Sequence, residues 1–257
     1  MKNLKGKIAF VTGASSGFGE ATAMRLAKKG MNLIICARRF ERVKKLAGDI
    51  KKKYKVNVLP LELDVRKQKD VKNAVKNLPK DWRKIEILIN NAGLSRGLNK
   101  IQDGVLMDWE EMIDTNVKGL LYVTKEVIPL MLENGNGHIV NIGSIAGHEV
   151  YIAGNVYCAT KHAVDALTKG MRMDLNGTPI KVSTVDPGLA ETEFSVVRFR
   201  GDEEKAKNVY KGVVPLYADD VADAVEYIVT RKESVNIAEI IILPKIQASA
   251  AVVHRRA

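Results

Sequence analysis

Seven short aliphatic runs, separated by segments of helical periodicity, constrain this chain more than any other feature. The runs fall at 8–12, 32–37, 57–63, 85–90, 137–143, 180–185 and 238–243. Helical patterns lie between them near 18–29, 40–54, 67–78, 108–134, 154–176 and 218–231. A run such as Leu33-Ile34-Ile35 is apolar on both faces of a strand and must be covered on both, which is the condition of a parallel sheet. The intervening helices supply the cover. Right-handed crossovers then predict an α/β, Rossmann-type doubly wound parallel sheet of about seven strands with helices on both faces. Residues 1–257 read as a single domain. The stretch 187–211 interrupts the rhythm and is expected to form a lid over the strand ends. The tail 246–257, short and mixed apolar-basic, is expected either to fray or to reach a neighbouring subunit.

The totals narrow the function. No run approaches the roughly 18 apolar residues of a membrane span, and the first residues lack the apolar core of a signal peptide. Cys36 and Cys158 are too few for a disulfide framework, so a reducing, cytoplasmic setting is expected. The net charge is +11, from 41 basic and 30 acidic residues. The densest cluster, Lys44, Lys45, Lys51, Lys52 and Lys53, shares one helical pattern with Val43, Leu46, Ile50 and Tyr54 at apolar spacing. Those lysines read as the solvated side of a helix, and no nucleic-acid partner is expected.

Directly after the first strand, residues 12–19 read TGASSGFG and open the first helix. Glycines there let the backbone turn sharply and approach a pyrophosphate, which rests on the free N–H groups of the helix. The spacing is Gly13-x-x-x-Gly17-x-Gly19 rather than the commoner G-x-G-x-x-G. Where that commoner pattern ends its second strand on a carboxylate for the ribose 2′-hydroxyl, this chain has Cys36-Ala37-Arg38-Arg39. A guanidinium offers phosphate a planar fork and stays charged at any working pH. The second strand therefore predicts NADP rather than NAD. Arg38 is expected to take the 2′-phosphate, Arg39 to stack on adenine or share the contact, and Ser15 and Ser16 to add hydroxyls.

Tyr157 and Lys161 lie four residues apart and share one face of a helix. An ammonium group near a phenol stabilises the phenolate, which makes tyrosine usable as an acid–base group near neutrality. Ser144, at the end of HIVNIGS, is placed to hydrogen-bond a substrate oxygen. A lone Tyr-x-x-x-Lys is weak evidence; with the glycine turn and a strand-terminal serine it becomes specific. His138, His148, His162 and His254 show no ligand spacing, and no metal is expected.

Taken together, TGASSGFG at 12–19, LDV at 63–65, NNAG at 90–93, Asn116 in DTNVKG, Ser144, Tyr157-x-x-x-Lys161 and Asp186-Pro187-Gly188 resemble the short-chain dehydrogenase/reductase family over nearly the full length. The resemblance implies Tyr157 as general acid/base, Ser144 orienting a carbonyl, and Lys161 on the nicotinamide ribose while depressing the pKa of Tyr157. It implies Asn116, inside a helix, holding a water that relays protons to Lys161. Gly13, Ser15, Ser16, Gly17, Phe18 and Gly19 would cradle the phosphates, and Asp64 and Val65 would flank the adenine. Asn91, Ala92 and Gly93 would line the adenosine side, with Pro187, Gly188 and Thr192 over the nicotinamide.

Within the family, TGASSGFGE, ARRFERV, NNAGLSRG, PGLAETEFSVVRFRGD and the terminal VVHRR are most similar to NADP-dependent 3-hydroxy acid (serine-type) dehydrogenases. These imply hydride transfer at the 3-carbon of a small acid such as serine or 3-hydroxyisobutyrate. A carboxylate calls for a cationic partner, and Arg198, Arg200 and Arg96 are the candidates. A 3-oxoacyl carrier-protein reductase would use the same catalytic residues, and a non-catalytic NADP-binding sensor is the alternative from another class. The family also implies a homo-oligomer, dimer or tetramer.

Overall fold

The computed structural model describes residues 3–256. In chain order the first half comprises β1 (Ile8–Thr12), α1 (Gly17–Lys28), β2 (Asn32–Ala37), α2 (Phe40–Tyr54), β3 (Val58–Glu62), α3 (Gln68–Lys76), β4 (Ile85–Asn90), α4 (Leu106–Ile113) and α5 (Leu120–Glu133). The second half comprises β5 (Gly137–Ile142), α6 (Asn155–Asp174), β6 (Ile180–Pro187), β7 (Ala190–Glu191), α7 (Phe194–Arg198), α8 (Glu203–Asn208), β8 (Leu216–Tyr217), α9 (Ala218–Val229) and β9 (Glu239–Ile242). Seven strands form one sheet in the order β3-β2-β1-β4-β5-β6-β9, and every neighbouring pair is parallel. The short β7 and β8 pair separately beside the lid.

Alternate residues of each strand enter opposite cores. Ala9, Val11, Leu33, Ile35, Ile87 and Ile89 pack with α1, α2 and α9 on one face. Ile8, Phe10, Ile34, Cys36 and Leu88 pack with α3 and α5 on the other. The unbroken aliphatic runs follow directly from this double burial. On α2, Val43, Leu46 and Ile50 are buried while the lysines are exposed, so the basic cluster is a solvated helix face.

The chain travels from β1 outward to β3 and returns to start β4 beside β1. The strand order reverses there, and a crevice opens at the carboxyl ends of β1 and β4. Two features depart from expectation. The helical pattern 108–134 is not one helix: α4 and α5 are joined by a π-helical turn, Asp114–Gly119, whose extra residue re-aims Asn116 inward. The tail does not fray: through residue 256 it folds back on its own chain. Gln247 bridges to Val253, the Arg256 amide donates to Gly212 O at 2.8 Å, and Arg255 donates to Lys211 O and Val209 O.

Phe10 is fully buried at the centre of the sheet. Phe10→Ala is expected to lower the unfolding free energy by about 3–5 kcal/mol through lost transfer energy and the cavity left behind. Chemical denaturation of the two proteins measures this.

Candidate active site

The glycine turn is shaped by the loop beneath it. Gly13 has φ +65°, and a Cβ there would lie 2.8 Å from Ala92 Cα and 2.9 Å from Asn91 Nδ2. Thr12 Oγ1 accepts from the amides of Asn91 and Ala92, each at 3.0 Å, and Asn91 Nδ2 donates to Thr12 O at 2.8 Å. The NNAG segment is thereby stitched to the turn after β1. Gly19 packs against the same Asn91 side chain, leaving no room for a methyl. Ser16 caps α1 without using its side chain on the helix, so the first-turn N–H groups are available to an anion.

Beside this turn the two arginines make different contacts. Arg39, not Arg38, gathers the serines: it donates to Ser15 Oγ at 3.0 and 3.2 Å and to Ser16 Oγ at 2.8 Å. Arg39 and Arg42 share the carboxylate of Glu193 at 2.8 and 2.6 Å. Arg38 turns towards Glu111, 3.5 Å away. All three guanidiniums line a single cavity of about 1160 Å³. Its walls also include Gly13, Ser15, Ser16, Gly17, Phe18, Asp64, Val65, Ala92 and Gly93. Asp64 is engaged by Arg66 at 2.6 Å, and Val65 is buried.

At the other end of the cavity, Ser144 caps the short turn Ile145–Gly147, its Oγ accepting from the Ala146 amide at 3.1 Å. The Ser144 amide is held by Asp186 Oδ1 at 3.0 Å. Tyr157 and Lys161 project from one face of α6 and are both buried. Burial raises the Tyr157 phenol well above the ordinary range, and the neighbouring Tyr151 adds to this. The Arg198 guanidinium and a hydrogen bond with Ser144 pull it back. Lys161 stands one helical turn further along the same face. Its Nζ lies 6.0 Å from the ring centroid and donates to Ile142 O at 2.8 Å. Burial lowers Lys161 to about 8, with Asp186 opposing. Asn116 spends its side chain on the loop after β4: Oδ1 accepts from the Leu94 amide and Nδ2 donates to Leu94 O, both at 2.8 Å, and to Thr160 Oγ1.

The lid supplies one further cation. Arg198, at the end of α7, lies 5.4 Å from the Tyr157 ring centroid and 5.1 Å from that of Phe194. Its Nη2 donates to Tyr151 Oη at 3.1 Å, while its buried Nε has no hydrogen-bond partner. The other two candidates are committed elsewhere. Arg96 is clamped on Glu111 at 2.7 and 3.1 Å, and Arg200 is paired with Asp108. Pro187, Gly188 and Thr192 line the same cavity.

Sequence reasoning missed Tyr151, Phe194, Arg42 and Gln247. Gln247 Oε1 accepts from the Leu189 amide at 2.7 Å, and the following tail residues Ala250, Ala251, Val253 and Arg255 line the cavity. Nothing in the spacing of the tail announces this, because the contacts are made by irregular backbone. The histidines separate likewise. His162 Nδ1 donates to Cys158 O, and His254 is exposed, whereas His148 stands against Asp186 and Glu239.

A Rossmann sheet with serine, tyrosine and lysine gathered at its switch point defines an oxidoreductase that works with a dinucleotide. Comparison with known proteins agrees: residues 7–203 match the short chain dehydrogenase family model, and the chain belongs to that family. It is 45% identical over 257 residues to an NADP-dependent 3-hydroxy acid dehydrogenase of Schizosaccharomyces pombe, covering 100% of this chain and 99% of the relative. It is 42% identical over 245 residues to sulfoacetaldehyde reductase 2 of Chromohalobacter salexigens, covering 95% and 96%. Among solved structures, a closed serine dehydrogenase complexed with NADP⁺ superposes with a TM-score of 0.90 at 43% identity, covering 97% and 100% of the two chains.

The lowered Lys161 has a consequence for stability. A depressed folded-state pKa means that burying the ammonium costs stability below about pH 8, and that the cost disappears as the pH rises towards 10.5, the ordinary value for lysine. Relative to Lys161→Met, the wild-type protein is expected to gain on the order of 3 kcal/mol between those limits. Thermal unfolding of both proteins across the alkaline range measures it.

Proposed function

We propose that the chain transfers hydride between NADP(H) and the 3-carbon of a small 3-hydroxy acid or its 3-oxo partner. The observation that carries this reading is Arg198: a guanidinium with a buried, unpartnered Nε, set over the ring of Tyr157, which itself hydrogen-bonds Ser144. A substrate carboxylate on that nitrogen would bring a hydroxyl two carbons away towards Tyr157 Oη, and the bond would be charge-assisted.

The cavity fits the cofactor. A Cβ at Gly13 or Gly19 would occupy the cradle, and three arginines with two serine hydroxyls surround the place where a 2′-phosphate would sit. When bound, NADP⁺ supplies the hydride acceptor. The chain supplies position and a proton path. In the oxidising direction Tyr157 Oη takes the hydroxyl proton, Ser144 Oγ hydrogen-bonds the developing carbonyl, and Lys161 Nζ holds positive charge nearby and reaches the ribose. Asn116 keeps the loop at Gly93 and Leu94 in register; the water relay to Lys161 is proposed with it. Asp64, Val65, Asn91, Ala92 and Gly93 would receive the adenosine, and Pro187, Gly188 and Thr192 the nicotinamide. Homologues named for 3-hydroxy acids and for serine support this class of substrate.

The sulfoacetaldehyde reductase relative favours a second reading, because a sulfonate would use the same guanidinium. A carrier-protein reductase would share the catalytic residues but has no use for an anion site at Arg198. A pure NADP sensor has no use for Tyr157. A panel of serine, 3-hydroxyisobutyrate, a sulfonate aldehyde and an acyl thioester, followed through absorbance of the reduced cofactor, separates these readings. Turnover confined to the thioester, or none at all, overturns the proposal. We further propose a homo-oligomer, which the exposed Leu106 and Met107 of α4 support, and a reducing compartment, which the free and buried Cys36 and Cys158 support.

Two variants probe the anion sites. Arg198→Ala is expected to raise KM for a 3-hydroxy acid roughly ten- to a hundredfold while changing that for an uncharged alcohol little. Arg39→Asp is expected to weaken NADP⁺ about a hundredfold, and Arg38→Asp less, because Arg39 holds the serine hydroxyls. Steady-state kinetics and cofactor titration measure both.

A further inference from the structure

Outside the cofactor cavity, three elements bring unlike donor atoms to one point. Asp186 closes β6, and its side chain is only 2% exposed. Its Oδ1 is fully used, accepting from the Ser144 amide and from Thr184 Oγ1 at 3.1 Å. Its Oδ2 is buried without a hydrogen-bond partner. Facing that oxygen at 3.4 Å is His148 Nε2, also buried and without a hydrogen-bond partner, and 3.1 Å from Nε2 is Glu239 Oε1 on β9. All three atoms lie within 4.8 Å of one another. None of the three residues lines the cofactor cavity.

One imidazole nitrogen carries at most one proton, so it cannot give a good hydrogen bond to two carboxylates at once. A divalent cation would satisfy all three atoms together. Tetrahedral zinc with bonds near 2.0–2.2 Å sets its ligand atoms about 3.3 Å apart, the spacing Nε2 already keeps from both oxygens. One imidazole with two carboxylates suits a zinc-class ion better than magnesium or calcium, which prefer more oxygens. The support that such ligands need is built: Ser144 and Thr184 orient the carboxylate of Asp186. A Cβ at position 143 would collide with Asp186 Oδ1, so the carboxylate takes this place only because the residue beside it is Gly143.

We propose that His148 Nε2, Asp186 Oδ2 and Glu239 Oε1 ligate one zinc-class divalent ion, with the fourth position open to solvent. The ion sits one carboxylate away from the backbone of Ser144 and takes no part in hydride transfer.

The test uses the full chain, stripped with a chelator and titrated with Zn²⁺ alone by calorimetry. One ion per chain is expected at micromolar affinity or tighter, undisturbed by excess Mg²⁺. His148→Gln and, separately, Glu239→Gln are each expected to weaken Zn²⁺ at least tenfold, with NADP⁺ affinity retained as evidence of folding. Glu239 lies on an edge strand and its substitution is isosteric, so it serves if the histidine variant does not fold. Absence of stoichiometric Zn²⁺ binding to the wild type, or unchanged affinity in a folded variant, overturns the site.

Discussion

Burial of both faces of the parallel sheet is the constraint from which the rest of this structure follows. With α1, α2 and α9 on one side and α3 and α5 on the other, polar groups of the central strands have one outlet, the strand ends. Most of those that remain inside are paired, although Asn90 Oδ1 is buried without a hydrogen-bond partner. Asn90 Nδ2 donates to Asn141 Oδ1 and Thr124 Oγ1, Asn141 Nδ2 donates to Thr168 Oγ1, and Thr184 Oγ1 bonds Asn141 O. This seam links β4, β5 and β6 to α5 and α6 close to Ser144 and Tyr157. Where its bonds are made, such a network holds its residues more rigidly than aliphatic packing would.

The electrostatics of the site follow from the same burial. Tyr157 and Lys161 are both pushed towards their neutral forms. A buried tyrosine and a buried lysine are costly alone, and their environment sets which of them carries charge as a proton moves. In this arrangement Arg198 brings the nearer cation to the phenol ring, so segment 187–211 bears on its electrostatics.

Much of this was legible in the chain. Strand periodicity located all seven strands of the main sheet, since double burial leaves an unmistakable aliphatic run. The glycine turn, Ser144, Tyr157 and Lys161 were legible because each depends on local geometry, a tight turn, a strand end or one helix face. What was hidden depends on tertiary placement. The choice between Arg38 and Arg39 turns on which guanidinium the Ser15 and Ser16 hydroxyls meet. The choice among Arg96, Arg198 and Arg200 turns on which of them already has a carboxylate. The π turn at Asn116 inserts one residue into a pattern that otherwise reads as continuous helix. His148, Asp186 and Glu239 come from three separate elements, a relation no spacing can express.

The folded-back tail bears on how the protein comes into being. β9, Gln247 and the cavity-lining residues beyond it belong to the closing stretch of the chain. The seven strands are therefore complete by Ile242, while the cavity has its full wall only once residues as far as Arg255 have folded back. A chain cut before Gln247 would keep every strand of the sheet and still lack part of that enclosure.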